Sequence, residues 1–387
     1  MQMNAGTPTR VRFLHTSDWQ LGVTRHFLDG DSQARWTAAR LEGIRRLGAI
    51  AAEEKCEFVV VAGDIFESNQ VDRRTIVKAC EAMSGIPVPT FLLPANHEPL
   101  DAGSVYRSKH WKDRKPALVR VLEEFGHPVE VRPGVEVAGA PWTSKRPLTD
   151  LVADAAAGLS ADQGILRVLV GHGAVDELSP NQDDPALIHV ADAEKTIAAG
   201  KFQYLALGDR HSFTTVGSSG RIFYSGTHEA YDFGELDPGK VLIVDLGPEG
   251  AIVKTRQNGN WRFVTHKADV STADDLDALE RYLESLQDKE RTIVKLGLVG
   301  SLTLRLHARL ESIEEHAGDL FAAVVRSHSR SELHVMPDNS DFDELSLSGF
   351  AASALDKLRS QALGADADAE QASDALALLV RLAGRTA

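Results

Sequence analysis

The feature of this sequence that most restricts its fold is a polar cluster that recurs directly after short apolar runs. Five clusters of this kind occur: Ser17-Asp18, Gly63-Asp64, Asn96-His97, Gly171-His172 and Gly208-Asp209. In an open α/β sheet the carboxyl ends of the strands meet at one crevice, so residues far apart in the sequence come together there. The pattern therefore predicts a fold that aligns several strand ends, with one shared site at that edge.

The apolar runs themselves predict an α/β fold. Strands are predicted at residues 11–16, 58–62, 90–93, 135–139, 165–170, 204–207, 221–224 and 241–245, and amphipathic helices at 36–52 and 74–83. Short β-rich runs that alternate with helical stripes are typical of layered α/β folds. We therefore predict one domain over residues 11–265, preceded by a disordered N-terminus at residues 1–10.

The pattern changes beyond residue 265. Helical spacing at 276–286 and 302–313, an apolar run at 293–299 and strand-like runs at 320–325 and 332–335 predict a small α+β domain over residues 266–340. The last segment, residues 341–387, contains predicted helices at 349–362 and 374–383. Their apolar stripes, which include Leu355, Leu358, Leu376 and Leu379, indicate packing on each other, on the body of the chain or on a partner.

Composition excludes several classes of protein. Hydrophobic residues make up 43% and charged residues 25%, as in soluble globular proteins. No apolar run approaches the roughly 20 residues that a membrane helix needs. The N-terminal sequence has no apolar signal-peptide core, and two cysteines, Cys56 and Cys80, do not form a disulfide framework. We expect a cytoplasmic protein that does not associate with membranes.

The net charge of −14 disfavours a protein that coats nucleic acid with a generally basic surface. One local segment, residues 106–115 (YRSKHWKDRK), is nevertheless basic. Its cations are Arg107, Lys109, Lys112, Arg114 and Lys115, and Tyr106 and Trp111 lie between them. Such a segment either grips a phosphate backbone and stacks bases or is an ordinary solvated surface.

The polar clusters share one set of metal-ligand types. They contain Asp18 with Gln20, Asp64, Asn96 with His97, His172, and Asp209 with His211. Carboxylates, imidazoles and amides suit a pair of divalent ions of the manganese, iron or zinc kind. One such cluster alone is most often a turn or a hydrogen-bonded structural residue, but five in this order favour a two-metal site, with a carboxylate as the bridge.

The order of these motifs resembles that of the calcineurin-like metallophosphoesterase superfamily, whose fold is a two-layered β-sandwich flanked by helices. More narrowly, LHTSDWQLG, VVVAGDIFE and YSGTHEAYDFGE are similar to the SbcD-type exonuclease subunit of DNA double-strand-break repair. The resemblance implies a nuclease domain at 11–265, a DNA-capping domain at 266–340 and a C-terminal segment at 341–387 that binds an SMC-like ABC ATPase. It also implies a homodimer.

The same resemblance implies a role for each site residue. One ion would be held by Asp18, Asp64, His211 and Gln20, and the other by Asp64, Asn96, His172 and Asp209. Asp64 would be the bridge. His97 would orient the phosphate and protonate the leaving oxygen, while the two ions activate a shared water.

Three residues depart from the family pattern. Gln20 and Asp209 stand where the family usually has histidines, and Ala95 replaces the usual glycine before Asn-His. Amide and carboxylate oxygens shift the site toward hard, oxygen-preferring ions. We expect two divalent ions, with Mn²⁺ as the first choice.

The sequence thus predicts a metal-dependent DNA nuclease with DNA and the ATPase as partners. The basic residues Arg107, Lys109, Lys112 and Lys115 are its predicted DNA contacts. The alternatives are a nucleotide or small-molecule phosphodiesterase, or a weakly active scaffold that binds DNA or the ATPase.

Two further segments contain partial motifs. Residues 234–240 (GELDPGK) superficially match a phosphate-binding loop, but Val241 and Pro238 argue against one. His228, in the YSGTHE motif, is a candidate for a position near the metal site.

Overall fold

A computed structural model of the chain describes residues 10–327, 331–335, 350–362, 369, 371–372, 374–376 and 378. Residues 1–9 of the predicted disordered N-terminus and most of the predicted helix at 374–383 lie outside the described residues. The chain divides into two compact units. The first comprises the residues up to Arg25 together with Gln33–Trp261, and the second comprises His26–Ser32 with the residues from Arg262 onward.

The first part of the chain alternates strands and helices as predicted. Its strands are β1 (Val11–Thr16), β2 (Phe58–Val61), β3 (Thr90–Leu92), β4 (Val119–Val121), β5 (Val129–Arg132), β6 (Val135–Gly139), β7 (Leu166–His172), β8 (Tyr204–Gly208), β9 (Thr214–Val216), β10 (Ile222–Tyr224), β11 (Lys240–Gly247) and β12 (Gly250–Gln257). Its helices are α1 (Gly30–Glu53), α2 (Arg73–Met83), α3 (Lys109–Lys112), α4 (Leu151–Ala157) and α5 (Val190–Ala198).

These strands form two six-stranded sheets. The first has the order β12-β11-β1-β2-β3-β4, and the second has the order β5-β6-β7-β8-β10-β9. The neighbours from β1 to β4 pair in parallel, as do those from β6 to β8. Both parallel stretches therefore present their carboxyl ends at one edge, where the polar clusters of the sequence follow.

The principal core lies between the two sheets. Phe13 stacks on Phe58 within the first sheet, with ring centroids 4.8 Å apart, and Tyr204 of the second sheet meets Phe13 edge to face at 5.3 Å. All three side chains are fully buried, and each large apolar side chain buried in this way contributes roughly 1.5–3 kcal/mol. The α/β fold with two β-layers flanked by helices is confirmed.

The helices cover the outer faces of the sheets. Ile44 and Leu47 of α1 and Cys80 of α2 pack on the first sheet, and α4 and α5 pack on the second through Val152 and Ile197. Cys80 is a free, buried thiol, as is Cys56. No helix among the described residues is long and apolar enough to cross a membrane.

The second unit contains a third sheet. Its elements are β13 (Arg262–Asp269), α6 (Ala273–Ser285), β14 (Thr292–Leu302), α7 (Leu304–Leu320), β15 (Ala323–Arg326), β16 (Glu332–Val335) and α8 (Phe350–Ala362). β14 pairs in parallel with β13, β15 and β16. The helices α6 and α7 cross over between parallel strands, as parallel pairing requires. The predicted boundary at residue 265 falls inside β13.

Residues near the C-terminus pack within this second unit. Leu355 of α8 and Leu376 are buried against Leu304 of α7. These two leucines belong to the apolar stripes that the sequence left open between intramolecular packing and partner binding. Leu379 and Leu382, which belong to the second stripe, lie outside the described residues.

Candidate metal centre

The loops at the carboxyl ends of the strands place the predicted site residues. Asp18 follows β1, Asp64 follows β2, Asn96 and His97 follow β3, His172 ends β7, and Asp209 and His211 follow β8. One ligand atom from each of Asp18, Asp64 and His172 lies within 4.8 Å of those of the other two. Both sheets therefore contribute to one buried cluster of metal-ligand type.

Two histidines lie beside the carboxylates of this cluster. The Nε2 atom of His172 is 3.5 Å from Oδ2 of Asp64 and 3.8 Å from Oδ1 of Asp209. The Nε2 atom of His211 is 4.0 Å from Oδ1 of Asp18. The side-chain amide nitrogen of Gln20 lies 3.5 Å from the same His211 atom. Each histidine thus faces carboxylates through Nε2.

Four of the predicted ligands have left-handed backbone conformations. The φ angles are +54° at Asp18, +42° at Gln20, +53° at Asp64 and +100° at Asp209. Such conformations cost about 1–3 kcal/mol each in a residue other than glycine, and they persist where the surroundings fix them. The N–H of Asp18 donates to Gly63 O at 3.0 Å, and that of Gln20 donates to Asp64 O at 2.8 Å. These bonds hold the first two loops together.

The remaining nitrogen of each histidine ring is held by an acceptor. Nδ1 of His172 donates to the Ala62 carbonyl at 2.8 Å. Nδ1 of His211 donates to Oε1 of Glu235 at 2.9 Å, and the other oxygen of Glu235 accepts from the Tyr231 N–H at 2.9 Å. An acceptor on Nδ1 places the ring proton there and leaves the Nε2 lone pair available to a metal ion. Both rings have the arrangement typical of metal-bound histidines.

Unsatisfied buried atoms test whether these residues fit a metal. The side-chain oxygens Oε1 of Gln20 and Oδ1 of Asn96 and the Nε2 atom of His172 are buried without a hydrogen-bond partner. Leaving a buried polar atom unpaired costs about 1–3 kcal/mol, so three such atoms among the predicted ligands point to a missing common partner. Divalent cations accept this mixture of oxygen and nitrogen donors. The residues therefore fit a dinuclear divalent metal site.

The electrostatics of the cluster indicate an excess of negative charge. Burial disfavours the charged form of His172, but the carboxylates of Asp64, Asp18 and Asp209 outweigh it and raise the pKa of the ring to about 10. Burial raises the pKa of Asp18. At Asp64 the effect of burial is outweighed by His172 and His97, and the pKa falls below its usual value. The carboxylates thus favour a positive charge among them, and metal binding would release the His172 proton.

His97 lies at the exposed side of the cluster. Its Nδ1 donates to the Glu67 carbonyl at 2.8 Å, and its backbone N–H donates to Oδ1 of Asp64 at 3.3 Å. Its Nε2 lies 3.8 Å from Oδ2 of Asp64. The side chain is 30% exposed, so a substrate can reach the ring. This placement suits the predicted role, in which His97 meets the phosphate and is not itself a ligand.

Two glycines allow the close approach of His172 to the neighbouring strand end. A Cβ at Gly63 would lie 2.2 Å from Nδ1 of His172, and one at Gly208 would lie 1.9 Å from the Ala62 carbonyl oxygen. Both contacts are too short for any side chain. Ala95, by contrast, is fully buried and is not among the residues with positive φ. Its departure from the family glycine therefore brings no backbone strain.

Glu98 is a buried residue beside the metal centre that the sequence analysis did not select. Its side chain is fully buried, and Oε1 accepts hydrogen bonds from the Ile65 N–H at 2.9 Å and from the Tyr106 hydroxyl at 3.1 Å. Burial, reinforced by the charge of Asp64, raises the pKa of Glu98 well above its usual value. The hydrogen bond from the Ile65 N–H to this carboxyl group fixes the backbone next to Asp64. The sequence signal that could have identified Glu98 is its position directly after Asn96-His97.

Glu235 was also missed. It lies in residues 234–240, the segment that the sequence analysis rejected as a phosphate-binding loop. The structure supports that rejection, because Lys240 pairs with Asp237 inside the segment. The segment instead supplies the carboxylate that orients His211.

The aromatic side chains and the cations of the basic segment lie in different environments. Tyr106 and Trp111 are buried, and their rings pack on each other and on Phe66, with centroid distances of 5.1–6.3 Å. They are core residues, so of the two alternatives left open by the sequence, base stacking does not apply to these rings. The cations Arg107, Lys109, Lys112 and Lys115 are exposed, and none forms a salt bridge with a residue that the structure describes.

His228 is likewise not part of the cluster. The ring is fully buried, and Nε2 lies 2.9 Å from the backbone oxygen of Arg40 in α1. A Cβ at Gly43 would lie 2.7 Å from this ring. His228 therefore packs its loop on α1, because its Nε2 atom contacts a backbone oxygen of that helix.

The fold and the cluster together define a metal-dependent phosphoesterase. The chain matches the family described as calcineurin-like phosphoesterase over residues 11–244, which is more than half of its length, and it belongs to that family. The matched range covers β1 to β10, the greater part of β11 and every residue of the candidate metal centre.

Solved structures that match the chain have low sequence identity to it. A crystal structure of TT1561 of Thermus thermophilus is 12% identical, with a TM-score of 0.40, and the match covers 64% of this chain and 99% of that one. Purple acid phosphatase PPD1 from yellow lupin (Lupinus luteus) seeds is 10% identical, with a TM-score of 0.39 and coverages of 65% and 52%. A dimetal phosphatase from Danio rerio (LOC 393393) is 10% identical, with a TM-score of 0.39 and coverages of 63% and 98%.

Proposed function

We propose that this phosphoesterase is a DNA nuclease that hydrolyses phosphodiesters at DNA ends or in structured DNA. The observation that carries the proposal is the link between the metal centre and the basic segment. The Tyr106 hydroxyl, in that segment, and the Ile65 N–H, next to Asp64, donate to the same oxygen of Glu98. One buried carboxyl group therefore anchors the exposed cations to the loop of the central ligand.

The charge of the molecule supports a polyanionic substrate at this place. The chain carries a net charge of −14, and a phosphate backbone is repelled by such a surface unless cations meet it locally. Arg107, Lys109, Lys112 and Lys115 supply four exposed positive charges within nine residues. A small phosphate ester needs no such row of cations beside its site.

The residues of the chain divide the reaction between them. When bound, two divalent ions would supply an activated water and neutralise the scissile phosphate, held by Asp18, Gln20, Asp64, Asn96, His172, Asp209 and His211. With its ring protonated on both nitrogens, His97 would donate a hydrogen bond from Nε2 to the phosphate and then pass that proton to the leaving oxygen. Its Nδ1 bond to the Glu67 carbonyl keeps the ring facing the cluster.

We further propose manganese as the metal, because the amide of Gln20 and the carboxylate of Asp209 add oxygen donors to the site. The proposed setting is cytoplasmic, as a homodimer that works with an SMC-like ABC ATPase. The family resemblance supports this partnership. Residues 234–240 form no nucleotide-binding loop, so ATP-driven opening of DNA would come from the partner. Because Leu355 and Leu376 are buried inside the chain, the partner would meet other residues of 341–387.

The partnership is tested by co-purification. The full chain and a chain that lacks residues 379–387, which leaves Leu376 in place, are each mixed with the SMC-like ATPase. We expect the ATPase to co-purify with the full chain and to be lost with the shortened chain. Failure of the full chain to retain the ATPase would contradict the partnership and leave the nuclease proposal untouched.

The nuclease proposal is tested with linear duplex DNA, single-stranded DNA and bis-p-nitrophenyl phosphate, each with Mn²⁺. We expect DNA cleavage by the native chain. Replacing Arg107, Lys109, Lys112 and Lys115 with Gln lowers DNA affinity and flattens its salt dependence, because fewer counterions are released. The matched control replaces four exposed cations of other segments, Arg73, Arg74, Lys78 and Lys254, none of which forms a salt bridge with a residue that the structure describes.

Two outcomes would contradict this proposal. Hydrolysis of the small ester without cleavage of any DNA would assign the chain to small-molecule substrates. An unchanged salt slope in the quadruple variant, with DNA still cut, would remove the basic segment from the interface.

A further inference from the structure

An open cavity of about 520 Å³ lies beside the candidate metal centre. Its walls are two loops of the first unit, residues 209–212 after β8 and residues 232–236 before β11. The cavity shares Asp209 and His211 with the predicted ligands, so a group bound in it would adjoin the scissile phosphate. Its volume is in the range of cavities that hold a small organic ligand.

The carboxylates of this cavity are already engaged. Asp232 lies 3.8 Å from a guanidinium nitrogen of Arg25, Glu235 holds His211, and Asp209 faces His172. Each of the three carboxylates therefore has a basic partner that offsets part of its negative charge.

The one cation of the cavity is in a different situation. Arg210 is exposed, and its Nε donates to the hydroxyl of Thr214 at 2.8 Å, which fixes the side chain. Within the part of the chain that the structure describes, Arg210 forms no salt bridge. A fixed guanidinium without an acidic partner is suited to a phosphate group, which it can bind through two parallel hydrogen bonds.

The cavity also exposes apolar surface. Leu236 is 73% exposed, and its loop is fixed by the bond from its N–H to the Ser212 hydroxyl at 2.9 Å. The adjacent Phe213 is 40% exposed, and its ring stacks on Phe223. Exposed apolar side chains next to a polar site provide a face on which a flat, apolar group of the substrate can rest.

We propose that this cavity is a nucleoside subsite, in which the base rests on Leu236 and the next phosphate of the strand meets Arg210. An anionic group and a flat apolar group joined by a polar spacer are the parts of a nucleotide, and each has its counterpart in the cavity. This inference rests on the proposed function and deepens it. The cavity selects nucleotide esters over other phosphodiesters, while the metal centre performs the chemistry.

The test uses three esters that release the same leaving group. They are methyl p-nitrophenyl phosphate, thymidine 5′-(p-nitrophenyl phosphate), and the latter with a phosphate on its 3′-hydroxyl. We expect the thymidine ester to exceed the methyl ester in kcat/KM by about tenfold, the scale expected when the base covers part of the Leu236 side chain. The 3′-phosphate adds about tenfold, the scale of a charge-assisted hydrogen bond.

Two variants separate the contributions. Leu236→Ser lowers the preference for thymidine over methyl, and Arg210→Gln lowers the added preference for the 3′-phosphate. Ile252→Ser and Lys254→Gln are the matched controls, because both side chains are exposed on β12, and they leave the two preferences unchanged. Calorimetric binding of thymidine 3′,5′-bisphosphate and of methyl phosphate gives the same comparison without turnover.

The possible results are distinct. Equal kcat/KM values for all three esters, or preferences that neither variant changes, would overturn the subsite and leave the phosphoesterase activity standing. If none of the three esters is hydrolysed, equal binding of the two calorimetric ligands overturns the subsite. A thymidine preference that depends on Leu236, found together with no cleavage of DNA, would support the subsite and refute the nuclease proposal.

Discussion

Oε1 of the buried Glu98 accepts a hydrogen bond from the backbone N–H of Ile65 at 2.9 Å. Ile65 directly follows Asp64, whose φ of +53° lies in the left-handed region. The central ligand of the candidate metal centre is therefore held by a residue of the next strand loop. Because Glu98 also follows Asn96 and His97, one hydrogen bond fixes the relative position of two sets of site residues.

Loss of this carboxyl group should weaken metal binding. Glu98→Ala leaves the Ile65 N–H and the Tyr106 hydroxyl buried without an acceptor, at a cost of about 1–3 kcal/mol each. We expect Mn²⁺ affinity to fall roughly 10–100-fold, the usual scale for a lost supporting contact. Glu98→Gln keeps an acceptor oxygen and should bind Mn²⁺ nearly as the native protein does. Calorimetric titration checks both variants, and native affinity in Glu98→Ala would contradict the role.

Glu235 should act through His211. Glu235→Ala removes the acceptor that fixes Nδ1 of the ring, and we expect Mn²⁺ affinity to fall roughly 10–100-fold. Glu235→Gln keeps an oxygen for that proton and should show a smaller loss. The exposed Glu177 gives the control variant Glu177→Ala. Metal content after dialysis and the titration midpoint measure the effect. Equal losses in Glu235→Ala and Glu177→Ala would show that the contact has no such role.

Asp64 and His97 should separate metal binding from proton transfer. Asp64→Asn keeps a residue type that tolerates positive φ but removes the bridging charge, so both ions and all activity should be lost. His97→Ala should retain both ions and slow phosphodiester cleavage by roughly 10²–10⁴-fold. Elemental analysis alongside the rate decides between them. Two bound ions in an active Asp64→Asn protein would disprove the two-metal arrangement.

Acid should destabilise the first unit through His15. Burial lowers the pKa of His15 to about 3, whereas the unfolded chain has the ordinary value of 6.5. Between these values the unfolded state binds the additional proton, so stability rises with pH in that window and is lost as the pH falls below 6.5. The loss from this group between pH 7 and pH 5 is about 2 kcal/mol.

Replacement of the ring tests this linkage. In His15→Gln the titrating group is absent, and the free energy of unfolding should depend less steeply on pH between 6.5 and 5. Urea denaturation at several pH values measures the slope. The variant loses contacts with the Tyr204 hydroxyl and the Leu207 carbonyl, so its stability falls at every pH, and only the slope is diagnostic. An unchanged slope would contradict the assignment.

The strand ends and their polar clusters were predictable because a buried parallel strand reads as a continuous apolar run. The segment at 58–62 is an example, since β2 is buried on both faces and ends just before Asp64. Residue types then indicated the ligands, and the structure brings Asp18, Asp64 and His172 together. Their identification as ligands is a prediction that the variants above test.

Other features depend on contacts between distant segments, which a local pattern does not contain. Tyr106 and Trp111 have the spacing of a nucleic-acid surface, but Phe66 from another loop covers them. The Glu235 carboxylate accepts from His211, 24 residues earlier in the chain. Glu235 ends the motif YSGTHEAYDFGE, but the motif does not indicate that pairing. His228 lies in a motif shared with the predicted family, yet its Nε2 atom contacts a backbone oxygen of α1 and not the metal centre.

The left-handed backbone at Asp18, Gln20, Asp64 and Asp209 places activity in opposition to thermal stability. Glycine adopts positive φ without steric cost, so Asp209→Gly, at an exposed residue, would relieve strain and raise the melting temperature while removing a donor from the site. A screen for thermostable variants that ignores catalysis would be expected to collect substitutions at these positions first. In the loops that hold the metal centre, substitutions that increase stability are therefore also the ones that reduce turnover.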